Sequence, residues 1–398
     1  MISRISTATL AQSVSLILAK QAELAQTQVQ LATGLRINTA KDDPVAAGVV
    51  AALDRAEADL ERFGSNAGLL GNRLALQESV LAGVNDLLAR VREIAIQANG
   101  GGLGLSDRRA FLPEIVELRE ALLAAANASD GQGRYLFGGS SDTSPPVLMQ
   151  SGTAIYVGDQ SQRRVEVAPE IAIADTDPGS EVFFRIRDGN GEFTVAADPS
   201  NGGSAVLRAT GFSDRRQWDG GSYRLEFAAG SYQVFDAGGA TIATGPYVPG
   251  ENIGFRGIQV AIAGNPDDGD AFTIGPARNH DVFAILDSLV QALETPDSPV
   301  AEQALKQNRF FAVLESLARA SDHIVDARAG IGARMAAVER SGDEREAALL
   351  TARTTRSELR DLDFNEAVSR LSRQAAALEA AQLAFARTQS QSLFQLLR

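Results

Sequence analysis

The 398-residue sequence has no cysteine, two histidines, one tryptophan and three lysines against 34 arginines. Without cysteine there is no disulfide framework, no thiol nucleophile and no thiolate metal site. His280 and His323 stand far apart, and neither has a histidine or glutamate at ligand spacing. Both read as solvated or packed side chains, so no metal is expected. No apolar run approaches the roughly 18 residues of a membrane helix. The start, MISRISTATLAQSVSLILAK, lacks the continuous apolar core of a secretory signal. Catalytic signatures are missing as well. GGGLG (100–104) is not followed by the Lys-Ser/Thr of a phosphate loop, and there is neither G-x-S-x-G nor H-E-x-x-H. The oxygen-rich runs NPDDGD (265–270) and DGNGE (188–192) lack calcium-loop spacing and read as turns. No catalytic residue, cofactor or membrane partner is expected. A net charge of -13 argues against nucleic acid as the main partner.

What is present is unevenly spread. Of 13 prolines, nine lie between Pro145 and Pro276, and 22 of the 37 glycines lie between Gly138 and Gly275. Proline costs roughly 3 kcal/mol inside a helix, so the two ends can form long helices while the middle is built of turns and strands. Near the N-terminus, Leu10, Val14, Ile17, Gln21, Leu24, Gln28, Leu31 and Leu35 alternate steps of 4 and 3, a heptad with polar interruptions. Near the C-terminus, Phe364, Val368, Leu371, Ala375, Leu378, Gln382, Phe385, Gln389, Ser392 and Leu396 do the same. Two such stripes at opposite ends of the chain imply that the termini pair. The alternative is two surface helices, each with one apolar stripe.

Further helices lie inward. One ends at Ala98 before Asn99 and three glycines; the next follows Ser106, with a kink or late start at Pro113. Asn279 is a candidate cap for a helix carrying Phe283, Leu286, Val290 and Leu293, and Ser298–Pro299 opens a pattern weakened at Gly330, Gly332 and Gly342. In the middle, RIRDGNGEFTV (185–195) reads as a hairpin, 222–244 as three short strands and 257–275 as two more. Residues 139–275 hold 18 acidic residues against nine arginines and no lysine, whereas both ends are close to neutral. Neutral ends can pack densely against copies of themselves while an acidic section stays solvated.

The expected fold class is α+β: a long antiparallel helical bundle or coiled coil formed by both termini, with an inserted mainly-β head. The expected domains are 1–42 with 356–398 as the terminal coiled coil, 43–139 with 277–355 as a helical rod, and 140–276 as the head. The expected assembly seam comprises Leu10, Val14, Ile17, Leu24, Leu31, Leu35, Phe364, Val368, Leu371, Leu378, Phe385 and Leu396.

QLATGLRINTAKDDPVAAGVV (30–50), with Gly34, Arg36, Asn38, Asp42, Asp43 and Pro44, resembles the N-terminal signature of the flagellin superfamily. GIGARMAAVER (330–340), with Gly332 and Arg334, and LRDLDFNEAVSRLSRQAAALEAAQ (359–382), with Asp363 and Phe364, resemble its C-terminal signature. Asp42-Asp43-Pro44 is similar to the hook-associated form. DGQGRYLFGGSSDTSPPV (130–147), with Arg134, Tyr135 and Phe137, together with YVGDQSQRRVEVAP (156–169) and GIQVAIAGNPDDGDAFTIGPA (257–277), resembles the hook-associated protein 3 branch. The ending LLR is more usual in flagellin, the runner-up. The resemblance implies a structural subunit of the bacterial flagellum, exported unfolded by the flagellar type III apparatus and folding at the extracellular tip. It implies a homo-oligomeric ring, with hook-associated protein 1 and flagellin as neighbours and a flagellar export chaperone on the C-terminal helix. A glycan-binding head on a coiled rod is a further alternative, and an enzyme the weakest.

Overall fold

The computed structural model describes residues 2–396, with the side chains of residues 11–387. Two compact units emerge, Met1–Ser65 with Ser341–Arg398, and Asn66–Arg340. Among the described residues, the first has only helices as its regular elements. It contains α1 (Ile2–Thr33), the start of α2 (Pro44–Ala98), the end of α7 (Val300–Arg360) and α8 (Phe364–Leu396). Gly330, Gly332 and Gly342 do not break α7. Each lies in a helix interior without a close obstacle, where glycine costs only about 1 kcal/mol.

The second unit holds the rest of α2 and α7, the short helices α3 (Leu105–Arg109), α4 (Leu112–Ala126), α5 (Gly179–Phe183) and α6 (Val282–Glu294), and every strand. Pro113 sits in the first turn of α4, the late start expected of it. The caps differ from those read in sequence. Gly104, not Ser106, precedes α3, and Asp281, not Asn279, caps α6 by accepting the Ala284 N–H at 2.7 Å. Asn279 is instead held in a strand.

Strands β1 (Val147–Gln150) and β2 (Thr153–Tyr156) form one antiparallel hairpin, and β3 (Arg164–Ala168) and β4 (Ile171–Ala174) another. Their inward residues Val147, Ala154, Val167 and Ile173 join the helical core around Leu74, Leu81, Leu88, Phe137, Phe283 and Phe310. The segment 140–276 therefore serves two cores rather than one. Strand β5 (Ile186–Arg187) pairs with β14 (Asn279–His280), while β6 (Phe193–Ala197) pairs with β13 (Ala271–Pro276), so 185–195 is a turn between two sheets and not a hairpin.

The remaining strands are β7 (Val206–Phe212), β8 (Tyr223–Ala228), β9 (Ser231–Asp236), β10 (Thr241–Pro246), β11 (Asn252–Phe255) and β12 (Ile258–Ala263). A five-stranded sheet, β10-β9-β8-β13-β6, and a three-stranded sheet, β11-β12-β7, share a second core of Phe193, Leu225, Val234, Ile258, Val260, Ile262 and Phe272. The three strands expected in 222–244 are adjacent in the larger sheet, whereas the two in 257–275 fall in different sheets.

The edge strand β7 is covered by α7. Asn308 accepts the Leu207 N–H at 2.7 Å and donates to the Ala205 carbonyl at 3.0 Å, so its amide stands in for a neighbouring strand. One helical turn pair onward, Glu315 accepts the Thr210 hydroxyl at 2.7 Å. Burial pushes the Glu315 carboxyl above its ordinary range, against the Thr210 hydrogen bond and the Arg319 charge. A raised carboxyl favours the folded state in acid, and that contribution is lost as pH rises through the folded pKa. Glu315→Gln, which keeps the acceptor, is expected to raise the melting temperature at neutral pH by a few degrees. The gain disappears once the wild-type carboxyl is protonated. Paired thermal melts across pH check this.

Candidate assembly site

The first unit is built on the pairing of α1 with α8. Thr27 Oγ1 donates to Gln374 Oε1 at 2.8 Å, while a Cβ on Gly34 would stand 3.7 Å from the Phe364 ring, so the helices run antiparallel. On α1 the inward side chains are Ser13, Ile17, Lys20, Leu24, Thr27 and Leu31; on α8 they are Ala367, Leu371, Gln374, Leu378, Ala381 and Phe385. Both sets step by 4 and 3, the spacing of a two-helix seam.

Six of the twelve residues assigned from sequence sit in this pairing: Ile17, Leu24, Leu31, Leu371, Leu378 and Phe385. Leu35 lies just past α1, half-buried and bridged to Asp361. Val14, Phe364 and Val368 are 42%, 54% and 52% exposed, outside the seam. Gln21, Gln28 and Gln382 are exposed too, and the buried polar layer is Thr27 with Gln374. The side chains of Leu10 and Leu396 lie outside the described residues. The reason for the shift is geometric. Two heptad stripes share Ile17, Leu24 and Leu31, and the pair closes on the one that brings Thr27 to Gln374 and turns Ala367 and Ala381 inward.

The stripe left outside is apolar. Val14, Leu18 and Val29 share one face of α1, with Leu18 60% and Val29 51% exposed; Leu383 on α8 is 56% exposed and Val45 at the start of α2 is 79% exposed. Exposed apolar side chains grouped on one helix face are a candidate interaction surface.

A polar corner locks the pair in register. Gly34 adopts φ +72° and its N–H returns to the Gln30 carbonyl at 2.8 Å, a left-handed helix stop that a side chain would strain. The chain then bridges to the end of α7. Arg36 N–H donates to Arg360 O at 2.7 Å, Leu362 N–H to Gly34 O at 3.0 Å, and the Arg36 guanidinium to Leu359 O at 2.6 Å. Arg36 thus satisfies a terminal carbonyl of α7 and opposes its dipole. Asn38 donates to Leu35 O at 3.1 Å. Asp42 accepts the N–H groups of Thr39 at 2.8 Å and Asn38 at 3.0 Å, and the Gln26 amide at 2.9 Å. Those backbone donors, Thr39 first, hold its carboxyl below the usual range, so the brace is complete at neutral pH and loosens as pH falls through the lowered pKa.

Two aspartates cap the helices that leave the corner. Asp43 accepts the Ala46 N–H at 3.0 Å with Pro44 at the first position of α2, and Asp363 accepts the Asn365 and Glu366 N–H groups at 2.9 and 3.1 Å, opening α8 at Phe364. Asp43→Ala is expected to cost about 1 kcal/mol, read by chemical denaturation, while Asp43→Asn or Asp43→Ser retains most of the stability. Beyond the corner, Arg353 pairs with Glu57 at 2.6 Å and Glu61 at 2.8 Å, and Arg356 with Asp54 at 3.2 Å.

The other motif residues belong to the second unit and do not join this site. Phe137 is fully buried and meets the Phe183 ring edge-on at 5.2 Å. Tyr135 N–H donates to Asp142 O at 2.7 Å, Arg134 approaches Asp142 at 3.7 Å and its N–H reaches Asp130, and Arg334 pairs with Asp177. Gly332 lies within α7 with open space around it. Next to Phe137, Asp159 receives the Ser140 hydroxyl, then the Ser140 and Ser161 N–H groups, which hold its carboxyl at about 2. Sequence reading missed the central cation of this region, Arg73, because nothing local marks a buried arginine on a long helix. His280 faces Asp188 at 3.4 Å and His323 the Glu181 carbonyl at 2.7 Å. The acid-rich runs are turn braces: Asp270 accepts the N–H groups of Gly202, Gly203 and Asp267, and Asp188 that of Arg278. Among the described residues no group of three or more metal-binding side chains gathers, and no helix is long and apolar enough to cross a membrane.

Residues 5–142 match the bacterial flagellin N-terminal helical region, and residues 314–397 the bacterial flagellin C-terminal helical region. Xanthomonas campestris FlgL is 40% identical, covering 77% of this chain and 99% of that one, with a TM-score of 0.72. The chain belongs to the flagellar hook-associated protein 3 family. Hook-associated protein 3 of Legionella pneumophila superposes with a TM-score of 0.75 at 28% identity, covering 78% of this chain and 98% of that one. Flagellar hook-associated protein 3 of Escherichia coli is 24% identical over 380 residues, 94% of this chain and 93% of its own length. Flagellins are more distant relatives. The chain is thus a flagellar component, and its relatives are structural flagellar proteins.

Proposed function

We propose that the chain is a structural subunit, not an enzyme, that forms the junction between hook and filament as a homo-oligomeric ring in the axial structure. Hook-associated protein 1 lies on its hook side and flagellin on its filament side. It leaves the cell unfolded through the flagellar type III apparatus, with an export chaperone on the C-terminal helix, and folds outside. The observation that carries this reading is the likeness to FlgL along nearly the whole of that chain. The terminal helices supply the physics. Most helical stability comes from packing of the apolar face rather than from propensity, and the α1–α8 seam leaves most of its members only half-buried. Residues 1–40 and 360–398 are therefore completed by neighbouring subunits.

Two measurements test the proposal. At high salt the purified chain is expected to stay short of filaments; unlimited growth would make it a flagellin. Amide exchange on the monomer is expected to show weak protection in both terminal segments and strong protection in 66–340. Firm protection of both ends would overturn folding on assembly.

A further inference from the structure

Three asparagine–glycine bonds occur, Asn99–Gly100, Asn190–Gly191 and Asn201–Gly202. Such a bond is chemically exposed because glycine has no side chain to hinder its own backbone nitrogen. That nitrogen can attack the asparagine side-chain carbonyl carbon. A bond forms between that nitrogen and the carbonyl carbon, the carbon's bond to the side-chain amide nitrogen breaks, ammonia leaves with the proton lost by the glycine nitrogen, and a cyclic imide remains. Water then opens the imide at either carbonyl, giving aspartate or isoaspartate. Nothing is oxidised or reduced, and water is the sole co-reactant. The fold treats the three bonds differently, and we propose that Asn99–Gly100 is a self-modification site while the other two are protected.

Asn190 and Asn201 are fastened. Asn190 Oδ1 accepts the Glu192 and Phe193 N–H groups at 3.1 and 3.0 Å, and the Gly191 N–H is held by Asp188 O at 3.0 Å. Asn201 pairs with both backbone groups of Ala271, donating at 3.0 Å and accepting at 2.8 Å. The nitrogen that would attack it, Gly202 N, donates to the buried Asp270 carboxylate at 2.7 Å. In each, both the side-chain amide and the N–H of the following glycine are engaged in hydrogen bonds.

Asn99 follows the last residue of α2 and is exposed, and its amide group has no hydrogen-bond partner among the described residues. The backbone here is still bonded, Asn99 N–H to Ala95 O and Gly100 N–H to Gln97 O, both at 3.1 Å, with Leu103 N–H to Gly100 O longer at 3.4 Å, so what sets this site apart is the free side-chain amide at a helix end. A helix end of this kind opens without unfolding the core, and Gly100 to Gly102 add backbone freedom. The product places a carboxylate at the negative end of the α2 dipole, where it is unfavourable, and isoaspartate lengthens the main chain beside the buried Ala98.

Trypsin separates the sites. Asn99 is the sole asparagine of the peptide Glu93–Arg108, and Asp188–Arg208 carries both others. The folded full chain, held at mildly alkaline pH and mapped by mass spectrometry over time, is expected to convert Asn99 at least about tenfold faster than Asn190 or Asn201. In concentrated urea the three rates converge. Asn99→Gln abolishes the acid gain in Glu93–Arg108 and leaves the other peptide unchanged. Equal rates at the three sites in the folded chain, or an Asn99 as slow as the other two there, would overturn the proposal.

Discussion

Arg73→Met lowers the stability of the unit formed by residues 66–340 by about 3–5 kcal/mol, the scale for removing one partner of a buried ion pair. Arg73 is only 8% exposed. Its guanidinium donates to Asp130 Oδ2 at 3.1 Å and to the Tyr135 carbonyl at 2.9 Å, and Nε stands 3.6 Å from Asp175 Oδ2. Asp175 is 1% exposed and its backbone carbonyl accepts the buried Gln77 amide at 2.6 Å. Without Arg73, Asp175 keeps one cation, Arg163, whose side chain is 41% exposed and therefore partly screened. The charge then stays buried with half its compensation, which is why the loss exceeds that of an exposed pair at about 0–1 kcal/mol. Asp130 also loses a partner, although the N–H groups of Gln132 and Arg134 still hold it. Urea unfolding followed by circular dichroism gives the magnitude. Exchange at residues 128–142 gives the location, since that segment loses its tie to α2. Arg73→Lys restores charge but not the fork and is expected to recover part of the loss. A loss below about 1 kcal/mol would show the network to be solvent-screened.

Long-period features were legible in the sequence; features fixed by distant partners were not. Proline and glycine placed the helical ends and the β middle, because backbone cost is local. The heptad period of both termini was legible, and its phase was not. Ser13, Lys20 and Thr27 look like surface residues beside Val14, Gln21 and Gln28, yet Thr27 is 3% exposed because Gln374 meets it from 347 residues away. Apolar content also cannot say whether a stripe is covered by the same chain or by another. Likewise the turn at 188–191 is real: Asn190 braces it, and Gly189 takes φ +56° with Phe193 O only 2.3 Å from where a Cβ would stand. What local signals could not give is that β5 leaves for β14 and β6 for β13. The corner was visible as a motif, but the role of Arg36 depends on the end of α7, more than 300 residues onward.

Leu18→Asp and Val368→Asp are expected to abolish assembly without disturbing the monomer, whereas Leu24→Asp and Phe385→Asp weaken the α1–α8 pair itself. The distinction follows from exposure. Leu18 and Val368 are 60% and 52% exposed and make no part of the seam, so a carboxylate there stays hydrated in the free chain. Leu24 and Phe385 are half-buried against the opposite helix. In the proposed ring the outer stripe is covered by the neighbouring subunit, and a fully buried leucine contributes roughly 1.5–3 kcal/mol. Replacing it by a charge loses that and adds a desolvation cost. Each roughly 1.4 kcal/mol is about tenfold in affinity, and the effect recurs at every subunit boundary. In cells lacking their own copy, the outer-stripe variants should be exported at the wild-type level and give neither attached filaments nor swimming. Their circular dichroism and melting should match wild type. The seam variants should fail in the same assay but also lose helix content, with residues 66–340 still folded. If Leu18→Asp and Val368→Asp together support normal filaments, the exposed stripe faces solvent in the flagellum, and the surface completed by neighbouring subunits lies elsewhere on these helices.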